Sequence, residues 1–478
     1  MTSPGYAGSV RSGTPAARAV VAAAVLGSGM ALLDGTVVNI ALAEIGEELD
    51  ASLAELQWIS NGYLLSLAAL ILLGGSLGDR YGRRRVFVVG VVGFAVASLL
   101  CAMAPNPAML IAARVVQGVA SALLTPGSLA MIQGAFAPQD RGRAIGAWSG
   151  LGGIATAVGP FIGGALVQWA SWRWIFLINL PVAVVTVVIA RRAVPETRDE
   201  DARHRLDLAG ALAGSLALAG VTYALIEAGG DWAWPAALVG LTLGVCFVVV
   251  ERRRRHPMLP LELFADRIFS AANATTLLVY AALGAVMFFL VLQLQIVLRW
   301  DPLGAGLATM PVTVCMLLLA SRGGALAARI GPRLPMSVGP VLMAGGALWL
   351  SAVDVDSAYW STTAPALTVF GVGLALLVAP LTATVLAAAP DRHAGLASGV
   401  NNAVARAGSL LAIAALPVAV GLSGADYADA VVFDQAYGAA MVACAGLLLI
   451  GGLASWLRIP PTPPHTAASF RPSGGHKP

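Results

Sequence analysis

Charged residues are scarce in this chain, and lysine is almost missing from it. Only 11% of the 478 residues are charged, and Lys477 is the single lysine; soluble domains carry roughly 25% charged residues. The mean hydropathy of +0.81 excludes a soluble globular fold. The net charge of +4 comes from scattered arginines, which argues against the continuous basic surface that nucleic-acid binding requires.

Motifs for several other chemistries are missing as well. All four cysteines lie inside long apolar runs, where a thiol usually packs as a small hydrophobe, so we expect neither a disulfide framework nor a metal site. The sequence contains no G-x-x-x-x-G-K-[ST] loop for ATP, and it implies no cofactor. Paired carboxylates, a nucleophile with its base, or metal ligands do not gather in one region, so an enzyme is the least favoured class.

Long apolar runs dominate what is present. A helix needs about 20 apolar residues to cross roughly 30 Å of hydrocarbon, and fourteen runs of suitable length occur. The predicted transmembrane helices lie near residues 19–42, 57–77, 86–104, 108–131, 144–168, 174–190, 207–226, 234–250, 270–297, 303–321, 334–353, 362–388, 396–420 and 437–456. An even number of spans places both termini on the same side.

Arginine placement predicts which side that is, because short cytoplasmic loops are enriched in basic residues. With the N-terminus inside, 25 of the 29 basic residues fall in cytoplasmic segments. The outer loops are acidic instead, as at Glu44, Glu48 and Asp434. We therefore predict a multi-pass protein of the cell membrane with both termini cytoplasmic, whose arginines at 252–255 contact anionic lipid of the inner leaflet.

Two cytoplasmic loops repeat one another. GSLGDRYGRR from Gly75 and GALAARIGPR from Gly324 match at five equivalent positions, and duplicated halves surround the central site of many transporters. We predict an all-α integral membrane fold of two six-helix bundles plus two extra transmembrane helices. The predicted segments are a cytoplasmic N-terminal tail (1–18), an N-terminal bundle (19–190), a linker with an inserted helix pair (191–267), a C-terminal bundle (268–457) and a disordered cytoplasmic tail (458–478).

Several motifs carry a family resemblance over most of the chain. The segment GSLGDRYGRRR at residues 75–85, hereafter the signature loop, resembles the loop between the second and third helices of the major facilitator superfamily. LLDGTVVNIAL at 32–42 and WRWIFLINLP at 172–181 are similar to its fourteen-helix drug:proton antiporter branch. The fourth-helix motif is matched by Leu110, Arg114, Gln117, Gly118, Ser121 and Ala122, and the fifth-helix antiporter motif by ATAVGPFIGG at 155–164. The sequence departs at Ala155, where that motif usually has glycine, and at Ala328, where the second loop copy lacks its acid.

This resemblance implies a proton-coupled antiporter that exports hydrophobic or amphipathic small molecules by alternating access, as in drug and antibiotic efflux. Its expected partners are an amphipathic substrate, protons and membrane lipid, with no nucleic acid and no obligate protein partner. An uptake symporter of the same fold is one alternative, and only the fifth-helix motif opposes it. A non-transporting receptor or scaffold is another, and the buried acid Asp34 disfavours it.

Three charged residues, Asp34, Arg114 and Arg406, fall deep within predicted spans and not at a span end. Even the lowest scale sets the cost of such a charge at about 2.5–3.5 kcal/mol. Asp34 and Arg114 lie at similar depth. Burial favours a neutral carboxyl group and a nearby arginine favours the ionised one, so relative movement of the two could load and release a proton. We predict that this pair couples transport to protons; a static ion pair and snorkelling of Arg114 are the alternatives.

Neutral polar residues in the spans are candidates for a substrate cavity. Asn402 lies one turn before Arg406 on the same helix face. The predicted cavity residues are Asn61, Gln293, Gln295, Asn402 and Arg406, although each amide could equally form a hydrogen bond between helices. With Asp34 ionised, the three charges within the spans sum to one positive charge. That sum favours a neutral, zwitterionic or anionic amphiphile as substrate.

Two further motifs suggest moving parts. Asp79 sits among arginines after the second helix and is predicted to pair across the interface of the two halves, which would close a cytoplasmic gate. The gate residues are Gly75, Asp79, Arg80, Gly82 and Arg83; in the alternative, this loop only sets topology. In the fifth helix, Gly159, Pro160, Gly163 and Gly164 offer a small-residue face and a kink. They serve either alternating access or ordinary tight packing.

Overall fold

The computed structural model describes residues 10–11, 13–198, 207–254, 257–390, 394–422, 427 and 429–461, and these contain sixteen α-helices. In chain order they are α1 (Pro15–Leu49), α2 (Leu53–Tyr81), α3 (Arg83–Ala102), α4 (Pro107–Ala135), α5 (Pro138–Trp169), α6 (Trp174–Leu177), α7 (Asn179–Ala193), α8 (Leu208–Ile226), α9 (Ala233–Arg253), α10 (Arg267–Leu292), α11 (Pro302–Ala308), α12 (Met310–Ile330), α13 (Arg333–Leu350), α14 (Thr363–Ala387), α15 (Ala394–Ala419) and α16 (Ala430–Arg458). Nearly all of the predicted C-terminal tail and most of the N-terminal tail lie outside the described residues.

Short-range signals begin and end these helices. Ser52 starts α2 with a capping box, in which its hydroxyl accepts from the Glu55 amide at 3.3 Å and its own amide donates to the Glu55 carboxylate at 2.8 Å. Such a box satisfies two of the free N–H groups at a helix start. Between α2 and α3 the chain reverses at Gly82, whose φ of +108° is a conformation that favours glycine.

The fourteen predicted spans each overlap a helix or a pair of consecutive helices. Thirteen helical segments are long and apolar enough to cross a membrane, judged by length and composition. The remaining predicted span, 334–353, corresponds to α13, which packs against α14 and α16. α6 continues into α7, and α11 into α12, as single spans. A five-residue π-helix, Gln293–Val297, extends α10.

The helices are longer than their apolar cores, which corrects part of the loop assignment. α1 has 35 residues, about 52 Å at 1.5 Å per residue, so its ends extend beyond roughly 30 Å of hydrocarbon. Glu44 and Glu48, which we assigned to an outer loop, lie in its last turns. Asp434 likewise lies within α16. Hydropathy marks the hydrocarbon core and not the helix end.

Helices α1–α7 pack mainly on one another, as do α10–α16, with the strongest contacts between α2 and α4 and between α13 and α14. The inserted helices α8 and α9 pack together, and α8 also contacts both α2 and α15. Glu227 at the end of α8 accepts from the Trp58 indole N–H at 3.2 Å. α8 therefore lies across the junction of the two halves and is attached to the start of α2 through Trp58.

The orientation stays a prediction and has a direct test. In a cysteine-free variant, a cysteine at position 231 should react with an impermeant thiol reagent added outside intact cells. A cysteine at position 258 should react only after the membrane is opened. External labelling of position 258 would reverse the topology, and cytoplasmic exposure of position 231 would be incompatible with the inserted helix pair. The parent variant requires replacement of four cysteines, Cys101, Cys246, Cys315 and Cys444.

Candidate functional site

A buried ion pair lies at the centre of the N-terminal half. Asp34 on α1 and Arg114 on α4 are both 1% exposed, and the Arg114 guanidinium donates to the Asp34 carboxylate. Arg114 also donates from Nε to the Ile59 carbonyl at 3.1 Å. Asp34 and Arg114 were predicted to lie at similar depth in the membrane, and the structure places them in direct contact.

Gln117 joins both members of this pair. Its amide nitrogen donates to Asp34 at 2.9 Å, and its amide oxygen accepts from Arg114 at 2.5 Å. The same nitrogen donates to Ser98 at 2.9 Å. Gln117 belongs to the fourth-helix motif, but we did not predict it as a site residue. Its spacing of three residues from Arg114, which places both on one face of α4, was the available signal.

Aromatic rings enclose the guanidinium of Arg114. It lies 4.4 Å from the ring centroid of Tyr63 and 5.8 Å from that of Phe176. A desolvated cation gains about 2 kcal/mol over such a ring face. Tyr63 is fixed by its own hydroxyl, which donates to the Ala31 carbonyl at 3.1 Å. These rings come from α2 and α6, and no sequence spacing links them to Arg114.

The predicted cavity residues separate into two groups. Asn61 on α2 is completely buried, yet neither atom of its amide has a hydrogen-bond partner. Arg406 on α15 is half-buried, lies close enough to Tyr63 and Tyr280 to influence both electrostatically, and forms no ion pair with any described residue. Asn402 is exposed and donates to the Ser398 carbonyl at 3.3 Å. These three retain unused hydrogen-bonding capacity.

The two predicted glutamines are engaged in contacts between helices. Gln293 is fully buried inside the C-terminal half, where its amide donates to Asp434 and, at 3.2 Å, to the Val353 carbonyl. Gln295 donates to the Ile40 carbonyl on α1 at 2.8 Å. Both contacts correspond to the alternative of an interhelical hydrogen bond, and the structure does not place these amides beside Asn402.

Gln295 is one of several side chains that connect the two halves at the end of the molecule away from the signature loop. Gln57 at the start of α2 donates to the Ile413 carbonyl on α15 at 2.6 Å. Tyr427, just before α16, donates to the Ala51 carbonyl at 2.6 Å. Each contact would have to break if the halves separated on this side during alternating access.

The signature loop lies at the opposite end and pairs locally in this structure. Asp79 bonds Arg83, one turn later, at 2.9 Å, and pairs with no residue of the other half within the part of the chain that the structure describes. The backbone N–H of Arg84 donates to Glu196 at 3.0 Å, so a carboxylate from the segment after α7 caps the start of α3. The predicted pairing of Asp79 across the halves therefore stays a prediction for a different conformation.

The fifth-helix motif has two faces. A β-carbon on Gly163 would lie 2.6 Å from a methyl group of Val37 on α1, within the same half. On Gly164 it would lie 2.7 Å from the Leu303 Cα on α11, in the other half. A β-carbon on Gly306 of α11 would in turn overlap the backbone of Pro160. Gly159 and Gly163 thus face α1, whereas Pro160 and Gly164 form part of the contact between the halves.

These positions bring a buried carboxyl group close to the boundary between the two halves. The Asp34 network draws on α1, α2 and α4, and the nearby Arg406 belongs to the other half. Protonation of Asp34 would remove the anion that balances Arg114, while Gln117 and the Ile59 carbonyl would remain as acceptors. Among the described residues no group of three or more metal-ligating side chains occurs.

Comparison with known proteins gives a consistent picture. Residues 24–413 and 275–477 match the Major Facilitator Superfamily profile. The puromycin resistance protein of Streptomyces alboniger is 35% identical, over 90% of this chain and 89% of that protein. The tetracenomycin C resistance and export protein of Streptomyces glaucescens is also 35% identical, over 83% and 74% respectively. A crystal structure of a D-xylose-proton symporter has a similar fold, with a TM-score of 0.65 at 14% identity, over 94% of this chain and 99% of that one.

Proposed function

Since the chain belongs to the major facilitator superfamily, we propose that it exports an amphipathic small molecule in exchange for protons. It is a multi-pass cell-membrane transporter of the drug and antibiotic efflux class, because relatives at 34–35% identity are resistance and export proteins. The observation that carries the proton coupling is the buried pairing of Asp34 with Arg114 and Gln117.

Asp34 suits this role because its surroundings can accommodate either protonation state. When it is ionised, Arg114 and Gln117 supply donors to both of its oxygens. When it is neutral, Arg114 keeps two acceptors and its position beside Tyr63. A buried charge that loses every partner costs about 3–5 kcal/mol, and these remaining contacts reduce that cost. In our proposal, proton exchange at Asp34 is coupled to movement of the halves, and Asn61, Asn402 and Arg406 contact the substrate.

Inverted membrane vesicles test the proposal as a whole. An imposed proton gradient, acid inside, should drive accumulation of a transported compound, and a protonophore should abolish it. Uptake that instead requires protons and substrate to move in the same direction would indicate a symporter. Puromycin and tetracenomycin C are rational first compounds, because they occur in the names of the relatives.

Substrate charge provides a separate prediction. With Asp34 ionised, the charged residues within the spans sum to one positive charge, and a dication would meet uncompensated repulsion at low dielectric. A set of matched dyes, dicationic, neutral and monoanionic, should therefore be exported with the dication least favoured. Arg406→Gln should weaken export of the anionic dye by about tenfold relative to the neutral one, the scale of one lost charge-assisted hydrogen bond.

The matched control for that variant is Arg322→Gln, which removes an exposed arginine of α12. It should leave the order of preference unchanged. Preferential export of the dication would show that the charge sum does not govern selectivity. An unaltered preference in Arg406→Gln would exclude Arg406 from the substrate site.

A further inference from the structure

Two acidic side chains meet at the inner end of the inserted helix pair, away from Asp34. Asp207 is the N-cap of α8 and is 5% exposed, and Glu251 lies in the last turn of α9 and is 2% exposed. Their carboxyl groups approach one another over Gly210. Gly210 leaves room for this contact, because a β-carbon there would lie 2.9 Å from Asp207 Oδ2 and would overlap Glu251 Oε1.

Each carboxyl group has one oxygen bound and one oxygen free. Asp207 Oδ1 accepts from the Gly210 amide at 2.7 Å and from Arg254 at 2.8 Å. Glu251 Oε2 accepts from the Leu259 amide at 2.8 Å. Asp207 Oδ2 and Glu251 Oε1 are buried and have no donor, and these are the two oxygens that converge over Gly210. If one of the two carboxyl groups is protonated, these two oxygens can form a hydrogen bond with each other.

The balance of charge around the pair also favours one shared proton. Arg254 is the charged group that faces the pair among the described residues, so two ionised carboxylates would leave one buried negative charge uncompensated. When two carboxyl groups share a buried site, one of them takes up a proton more readily than an isolated carboxyl group does. A metal ion is a poor solution, because hard cations take six or more oxygen ligands, and the two free oxygens are buried without exposed surface on which waters could complete such a shell.

We propose that Asp207 and Glu251 share one proton and form a second proton-binding site, separate from Asp34. The proton resides on Glu251, at the C-terminal end of α9 where the helix dipole disfavours an anion, and Asp207 stays ionised at the N-terminus of α8. Glu251 Oε1–H donates to Asp207 Oδ2. Arg254 then balances Asp207, and the cluster is neutral.

This site acts as a clasp. It joins the inner ends of α8 and α9 and holds the chain that leads into the C-terminal half through Leu259. Loss of the proton at alkaline cytoplasmic pH introduces repulsion between the carboxylates, which opens the clasp and frees the Leu259 amide. Because α8 contacts both α2 and α15, the state of the clasp determines how firmly the inserted pair is held between the halves.

Hydrogen exchange of the Leu259 amide tests the clasp, and few neighbouring amides contribute to its signal. Pro257 and Pro260 have no amide hydrogen, so the segment 257–260 reports only Met258 and Leu259. In the full-length protein in nanodiscs, protection, corrected for intrinsic base catalysis, should be constant at acidic pH. Above the titration point it should fall by about tenfold per pH unit, as the loss of one linked proton requires.

Glu251→Gln supplies a permanent donor to Asp207 and should give protection that does not vary with pH. Asp207→Asn should do the same and replaces the first variant if that one does not fold. Unchanged exchange in α4 establishes that a variant is folded. Glu262→Gln, a nearby exposed acid, and Asp34→Asn should retain the slope of the native protein. The proposal is overturned if the native protein shows no slope, if Glu251→Gln keeps it, or if protection depends on added Mg²⁺.

Discussion

Asp34→Asn is expected to abolish proton-driven export while leaving the protein folded. Asparagine preserves the shape of the side chain and can still accept from Arg114, but it cannot exchange a proton. Arg114 keeps the Ile59 carbonyl and Gln117 as acceptors, so the variant avoids the full cost of about 3–5 kcal/mol for an unpaired buried charge. Accumulation in inverted vesicles should fall to that of vesicles without the protein.

A second measurement separates coupling from general damage. Addition of a transported compound to the purified native protein in weak buffer should release protons, and Asp34→Asn should release none while still binding the compound. Asp231→Asn is the matched control, because it removes an exposed carboxylate at the outer end of the inserted pair. Proton release that persists undiminished in Asp34→Asn would falsify the assignment.

The second large effect is expected at the contact between α5 and α11. Gly306→Leu should abolish transport, because even a β-carbon there overlaps the backbone of Pro160. A main-chain neighbour cannot rotate away as a side chain can, and overpacking of this kind typically costs 1–3 kcal/mol or more. The cost falls only on the conformation in which the outer ends are joined. The population should therefore shift by about tenfold or more toward the conformation open to the outside.

Accessibility of Ile40 reports that shift. Its side chain is 1% exposed and would lie 3.3 Å from a β-carbon on Gly306. In an otherwise cysteine-free protein, Ile40→Cys should react with an external impermeant reagent much faster when Gly306→Leu is present. Gly345→Leu is the control, because a β-carbon there meets no atom within 4 Å. Normal transport by Gly306→Leu would show that these helices need not approach so closely.

Features that lie within one short stretch of sequence were sufficient to predict the spans, the repeat and the buried charges. Apolar run lengths predicted the fourteen spans, of which thirteen correspond to helical segments long and apolar enough to cross a membrane, and the signature loop with its partial copy predicted two related halves. The predicted loops at the outer side were too long, because glutamates at a helix end continue the helix after hydropathy has fallen. Asp34 and Arg114 could be chosen because charges are so rare within the spans that each carries information by itself.

The partners of those charges could not be identified in the same way. Gln117 was visible as a motif residue, but a glutamine is common enough in packed helices that its double contact with Asp34 and Arg114 required coordinates. Gln293 and Gln295 looked equivalent to Asn402 in sequence, yet one contacts Asp434 inside its own half and the other joins the two halves. Polarity in a span predicts that a hydrogen bond is needed and does not say with which residue.

The sequence by itself determined the class of this protein: its length of apolar runs, its arginine asymmetry and its ordered motifs are additive or local properties that need no knowledge of packing. Tertiary structure alone decided which small residues meet across the two halves and which acids share an environment. Asp207 and Glu251 lie 44 positions apart in the chain, at the start of α8 and in the last turn of α9, and only the antiparallel packing of the two helices brings their carboxyl groups together. Contacts of this kind depend on the rotation of each helix about its axis, which is set by the combined packing of all its neighbours.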